Sequence, residues 1–168
     1  EELIVKLYHK PMQLLTIHKQ APDGTPLAHA VFTITNYWTN VSPVSRTLET
    51  DENGDAVIPL EYTYYDGSSW YDPIFNGLAN TQKSPYTLTE ITPPTGYKAA
   101  SSINFQIDWN SSSESYTVSS LYGAALPSDI TLSGTTFTIV DQPILCDVSI
   151  TKEKYDLDNN NKPTTNTS

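Results

Sequence analysis

The chain has a single cysteine, Cys146, in 168 residues. No internal disulfide can form, and the partners of a thiolate zinc site are missing. Within its Pro-Ile-Leu-Cys segment, Cys146 reads as a small, partly buried apolar residue, so any covalent staple must use other chemistry. Basic residues are also few: nine Lys and Arg face nineteen Asp and Glu, a net charge of −10. A surface of that sign repels phosphate backbones, which excludes a nucleic-acid partner. No apolar run is long enough to span a bilayer, and no signal-peptide pattern is present. Long runs of strong helix formers are absent too, and the one helical expectation is a short turn over 72–79.

What is present favours strands. Eleven Tyr accompany many Thr and Ser, and twelve Pro with seven Gly interrupt the chain at short intervals, the pattern of an all-β sandwich. Apolar residues at 38% suffice for the core of one ordinary domain. Strands are predicted near 13–20, 29–37, 45–49, 55–60, 85–91, 102–108, 115–120 and 135–141. Pro22-Asp23-Gly24 and Asp51-Glu52-Asn53-Gly54 mark turns. Asp51, Asn53 and Asp55 faintly suggest a calcium loop. The glycine is misplaced for one and Tyr62 stands where a bidentate Glu is needed, so a hairpin turn is the better reading and no metal is expected.

A weak internal repeat brackets the chain. PMQLLTIHK at 11–19 and PILCDVSITK at 143–152 each run from Pro through a short connector into an alternating strand that ends in Lys. Val148, Ile150 and Lys152 fall in the register of Leu15, Ile17 and Lys19. The expected organisation is an upstream segment or linker at 1–11, one domain at 12–143, and the start of a downstream module or polar tail at 144–168. The alternative makes both ends extra strands and tail of a single domain.

Three trios inside the domain break the usual rule of strand faces. Leu15, Ile17 and Lys19 share one face, as do Tyr86, Leu88 and Glu90, and Phe137, Ile139 and Asp141. If the apolar members face the core, one amine and two carboxyls face it as well. A lone buried charge costs several kcal/mol, so the three are expected to meet. Alternation by itself favours a buried ion pair over a covalent product, and it also leaves open a Lys19 side chain that reaches outward.

Four blocks then carry a resemblance. LTIHKQAPDGTPLAHAVFTI at 15–34, TLETDENGDAVIP at 47–59, YTLTEITPPTGY at 86–97 and TFTIVDQP at 136–143 stand in the order found in Cna B-type domains. These domains, also called SpaA-like or prealbumin-like, occur in Gram-positive pilins and cell-wall surface adhesins. The third block is similar to the pilin E-box, a Glu followed by Pro and Gly-Tyr. The resemblance implies an Ig-like, prealbumin-like β-sandwich, here with an aromatic-rich insertion and extra terminal segments. It also implies an extracellular, cell-wall-attached module without cofactor, whose partners are neighbouring modules of the same polypeptide or other pilus subunits. The chain departs from the family at Ala21, where Asp is frequent, and at His29, where Gly is frequent.

The family forms an intramolecular isopeptide bond between Lys and Asn or Asp, promoted by Glu. Carried over, the crosslinked pair is Lys19 and Asp141, and Glu90 promotes the reaction. Elementary chemistry fits. A dry interior disfavours charge, a neutral amine is a nucleophile, and a protonated acid can be attacked where a carboxylate cannot. The reaction turns over once, so the domain is not expected to be an enzyme. With the resemblance added, bond formation becomes the preferred reading over the ion pair. Two other classes stay open. The 61–85 insertion, with Tyr64, Tyr65, Trp70, Tyr71 and Phe75, offers aromatic surface for a glycan or host protein, against a reading in which it packs on the sheet. Glu90 and Asp141 as a hydrolase pair is the weakest, since no His or cleft accompanies them. Lys152 reads either as the nucleophile of a following domain or as an exposed strand end.

Overall fold

The computed structural model describes residues 12–36, 44–60, 70–71, 74–75, 79–80, 85–110, 112–146, 148, 150, 156–157, 160 and 163–164. The strands are β1 (Gln13–Gln20), β2 (Val31–Asn36), β3 (Val44–Glu49), β4 (Asp55–Leu60), β5 (Trp70–Tyr71), β6 (Ala79–Asn80), β7 (Tyr86–Thr92), β8 (Ile103–Asn110), β9 (Ser115–Ser120), β10 (Ile130–Ser133), β11 (Thr136–Val140), β12 (Asp156–Leu157) and β13 (Pro163–Thr164). One sheet runs β10-β11-β1-β4 and the other β3-β2-β7-β8-β9, while β5-β6 and β12-β13 are two-residue ribbons. The architecture is an all-β sandwich. Among the described residues every strand pairing is antiparallel except β1 with β11, which places a strand from each end of the sandwich side by side and parallel.

Alternation builds the core. Leu15 and Ile17 of β1, Ile58 of β4, and Phe137 and Ile139 of β11 point inward from one sheet. Phe32, Ile34, Tyr86, Leu88 and Phe105 point inward from the other, all nearly free of solvent. Burying each such side chain is worth roughly 1.5–3 kcal/mol. Within one sheet Tyr86 stacks on its cross-strand neighbour Phe105 at 5.2 Å, and Phe105 joins the layers by meeting the edge of Phe137 across the interior at 5.2 Å. Phe75 stacks on Tyr86 at 6.5 Å and is half-buried against this core.

Several expectations need correction. The turn at Asp51–Gly54 is tight, with the Gly54 N–H donating to the Asp51 carbonyl at 2.9 Å. It is not a hairpin, because β3 pairs with β2 and β4 with β1, so the chain crosses from one sheet to the other there. Asp51 Oδ1 accepts the N–H groups of Asp55 and Asn53, each at 2.9 Å, using the carboxylate to close the turn. The strand expected at 135–141 is half of a hairpin. The missed half, β10, pairs with β11 across Gly134 and Thr135, with Gly134 at φ +60°. Of the helix expected over 72–79, Ile74 and Phe75 lie in a bend and Ala79 is extended, and 72, 73 and 76–78 lie outside the described residues. Cys146 is exposed rather than partly buried. Neighbouring Leu145, Val148 and Ile150 are 80% or more exposed and outside any strand, so nothing packs on this segment among the described residues. Residues 1–11, Lys152, Tyr64, Tyr65 and Trp38 lie outside the described residues.

His29 adopts φ +63°, the left-handed region that a glycine occupies without a Cβ clash. Here the imidazole pairs with Glu49 at 2.8 Å, and that hydrogen bond pushes its pKa above the ordinary histidine value.

Candidate functional site

Lys19 is the last inward residue of β1, and two backbone contacts fix it. Its N–H donates to the Gly54 carbonyl at 2.7 Å, and its carbonyl accepts the Leu27 N–H at 2.9 Å. The close approach is possible only because residue 54 is glycine. Its φ is +76°, and a Cβ there would strike the Lys19 carbonyl oxygen. The sheet-to-sheet turn is therefore what holds the backbone under Lys19.

Glu90 arrives from the opposite sheet. β7 carries an irregularity here: Phe32 pairs with Glu90 and Val31 with Thr92, which leaves Ile91 unpaired between them. Such a bulge re-aims the side chains beside it. Glu90 turns inward while Ile91 is 55% exposed. Asp141 follows β11, and its N–H donates to the Gln20 carbonyl at 3.0 Å, which extends the parallel pairing by one rung. Beyond it, the loop after Glu90 clamps the chain. The Lys98 N–H donates to the Gln142 carbonyl at 2.9 Å, the Ile144 N–H to the Gly96 carbonyl at 2.7 Å, and Tyr97 bridges Pro143. The Pro-Pro-Thr-Gly-Tyr segment thus ties the strand of Glu90 to the strand of Asp141.

The three side chains meet, and none has accessible surface. Lys19 Nζ donates to Glu90 Oε2 at 2.9 Å and to Asp141 Oδ1. The Ala100 N–H donates to Glu90 Oε2 at 2.6 Å, and the ring of Phe32 lies 5.4 Å from Nζ. Glu90 Oε1 and Asp141 Oδ2 are buried and have no hydrogen-bond partner. With all three groups ionised, the pocket would hold one positive and two negative charges out of water. Burial pushes Asp141 up to about 6, opposed by Lys19 and reinforced by Glu90. A proton on Asp141 makes the cluster neutral and supplies a donor for one of the two unpartnered oxygens.

Sequence reasoning had singled out these three side chains and missed what surrounds them. Gly54 was visible in the Thr-Asp-x-x-Gly block but was read only as a turn former. The Ala100 N–H and the Phe32 ring left no signal, because a backbone donor and a face of the opposite sheet are tertiary facts. Trp70 and Tyr71 form β5, paired with Ala79 and Asn80. Trp109 packs edge-on against Tyr116 at 4.9 Å. Among the described residues no helix is long and apolar enough to cross a membrane.

No protein-family model matches the sequence, and no curated protein does either. Solved structures resemble the chain at low identity. A C-terminal fragment of the pilus adhesin SpaC from Lactobacillus rhamnosus GG is 19% identical with a TM-score of 0.44, over 83% of this chain and 48% of the fragment. The pilus adhesin RrgA from Streptococcus pneumoniae is 19% identical with a TM-score of 0.48, over 81% of this chain and 16% of RrgA. The chain therefore spans less than half the length of either.

Proposed function

We propose that this chain is a structural module of a Gram-positive pilus or cell-surface adhesin, stapled by an isopeptide bond between Lys19 and Asp141 that forms without any other protein. The observation that carries the reading is the hydrogen bonding of one solvent-free amine to two solvent-free carboxyl groups. The four sequence blocks of a Cna B-type domain add to it.

In the reaction, Lys19 Nζ attacks the carboxyl carbon of protonated Asp141. An N–C bond forms, one C–O bond of the acid breaks, and water leaves. Glu90 accepts a proton from the attacking amine and returns it to the departing oxygen. Its Oε2 already faces Nζ, held by the Ala100 N–H. Folding supplies the alignment, which in general is worth roughly 7–11 kcal/mol of barrier. The event occurs once per molecule, so the module is not an enzyme in the turnover sense.

The consequence is mechanical. The two residues are 122 positions apart, Lys19 on β1 and Asp141 just past the end of the parallel strand β11 beside it. Tension entering along β1 and leaving after Asp141 would pass through the amide and bypass everything between. By analogy with disulfides, closing so long a loop stabilises by roughly 5 kcal/mol, and reducing agents cannot open it. Such a module suits the outside of a cell wall, with neighbouring modules or other pilus subunits as partners. Residues 12–143 form the module in this reading, and the exposure of Val148 and Ile150 supports assigning 144–168 to whatever follows.

Intact mass tests the proposal. The folded wild-type chain is expected to be lighter than its sequence by one water, and Lys19→Met to have its full calculated mass. A wild-type mass without that loss reduces the site to a buried ion pair.

A further inference from the structure

Both carboxyls of the buried cluster bond the same amine, so proximity leaves two products open: Lys19 joined to Asp141, or Lys19 joined to Glu90. Each releases one water and leaves the other acid as the base. Neutrality does not choose between them, since one added proton balances the cluster on whichever acid carries it. The main chain supplies the difference. Glu90 Oε2 accepts the Ala100 N–H at 2.6 Å in addition to Lys19 Nζ. Among the described residues the Asp141 carboxyl receives Nζ and no main-chain donor. An amide N–H only donates, so Oε2 must face it with a lone pair. A donor of this kind favours the charged form of the acid it bonds. It holds the negative charge on Glu90 and leaves the proton to Asp141.

Ala100 lies between β7 and β8 and belongs to neither, so no strand ladder aims its N–H. Two bonds flank it instead. On one side the Lys98 N–H donates to the carbonyl of Gln142, the residue after Asp141, at 2.9 Å. On the other the Ser101 N–H donates to Asp129 Oδ2 at 2.9 Å. The Asp129 carbonyl in turn accepts the N–H of Val140, the residue before Asp141, at 2.8 Å. Asp129, just before β10, thus grips the loop of Ala100 with its side chain and the strand of Asp141 with its main chain. The donor to one acid is thereby registered against the other acid from both sides.

Resting on the staple reading above, we propose that Asp129 is a positioning residue for that reaction: through Ser101 it sets the Ala100 N–H on Glu90, and so directs Lys19 to Asp141 rather than to Glu90. In the directed step a bond forms between Nζ and Cγ of Asp141, one C–O bond of that acid breaks, and Glu90 relays the proton to the departing water. In the misdirected step the bond forms to Cδ of Glu90, water leaves from Glu90, and Asp141 relays the proton.

The test refolds the full chain, follows water loss by intact mass, and locates the branched peptide by digestion and tandem mass spectrometry. Wild type should give one branch, Lys19 to Asp141. Replacing Ala100 by lactic acid turns its N–H into an ester oxygen and keeps its methyl group. Water loss should then slow about tenfold or more, the worth of a hydrogen bond to a charged group, and a Lys19-to-Glu90 branch should appear. Asp129→Ala should slow it about fivefold and give a smaller share of that branch. Asp129→Asn keeps a side-chain oxygen for the Ser101 N–H and should restore the wild-type rate and single branch. A wild-type chain that loses no water overturns the staple and this inference with it. If wild type loses its water while the ester variant and Asp129→Ala keep its rate and its single branch, the inference alone is overturned. Slowing without the second branch reduces Asp129 to a support of the fold and overturns it equally.

Discussion

Gln13 and Lys19 occupy opposite ends of the inward face of one strand, yet the fold treats them differently. At the Lys19 end the sheet-to-sheet turn at Asp51–Gly54 and the loop at 93–98 close over the interior, and three ionisable groups are sealed from water. At the Gln13 end the edges of the two sheets stay apart, and a neutral amide bridges them beside an open cleft. A charge is tolerable at the first end because partners come from both sheets. At the second, the uncharged amide is the group that can satisfy a backbone without a counter-ion. What decides the chemistry of a polar residue at the end of a core strand is how the neighbouring loops close.

The largest expected difference between the ends comes from removing the amine. Lys19→Met fills similar volume but cannot form the bond. Chemical denaturation should report a loss of roughly 5 kcal/mol from the lost staple alone. It also strips Asp141 of the partner that opposes its raised pKa, so the folded value moves beyond about 6. Between the unfolded value near 4 and that higher one, the folded chain holds a proton that the unfolded chain has released. Stability of Lys19→Met should therefore be best below about pH 4 and should fall as pH rises through and past about 6. An unchanged denaturation midpoint in Lys19→Met would put the two ends of β1 on equal footing and break the comparison.

Glu90→Gln separates proton transfer from packing. The amide keeps the shape and still accepts from the Ala100 N–H, but it cannot carry the proton. Refolded protein followed by mass should shed its water about 10²- to 10⁴-fold more slowly than wild type, the range typical of general acid–base assistance. A rate equal to wild type would remove Glu90 from the chemistry and leave it as a structural neighbour.

Gly54→Ala comes next. The substitution forces a side chain onto a left-handed backbone and into the Lys19 carbonyl, at a cost of about 1–3 kcal/mol. Gly24→Ala is the control. Its φ, +86°, is equally unfavourable but nothing lies within 4 Å, so the fold should suffer less and bond formation not at all. If both variants crosslink at the wild-type rate, the turn at Asp51–Gly54 closes the sandwich without positioning the amine.

Much of this was legible from period-two patterning, and the failures share a cause. Alternation says which residues share a face, and so Leu15, Ile17 and Lys19 could be placed inward together. It does not say to which sheet a strand belongs. The run at 44–49 and the run at 55–60 look like two arms of a hairpin, and only their pairing with β2 and β1 sends them apart. β10 was missed because Ile-Thr-Leu-Ser is short, although the Gly-Thr between two alternating runs is itself a hairpin signal. Cys146 was misjudged by its apolar neighbours Ile144 and Leu145, which are themselves exposed. Alternation brought Lys19, Glu90 and Asp141 together and the resemblance added the covalent bond, whereas the supporting contacts at Gly54, Ala100 and Phe32 arise from elements that only tertiary structure brings near.

The smallest effect is expected at Gln13. Gln13→Ala removes two hydrogen bonds to Tyr116, but the exposed N–H and C=O then face a cleft that water can enter, so the loss should be only about 1 kcal/mol. Gln13→Glu keeps an acceptor for the Tyr116 N–H and loses the donor for its carbonyl. It should fall between wild type and Gln13→Ala at low pH, where a protonated Glu can donate, and lose more as the carboxylate forms. Neither change should alter the loss of one water relative to that variant's own calculated mass. Because the two ends of β1 share no partner and lie well beyond contact distance, Gln13→Ala combined with Lys19→Met should cost the sum of the separate losses within about 0.5 kcal/mol. A larger deviation would mean that β1 transmits strain from the cleft to the amine, and the two ends would then form one coupled device.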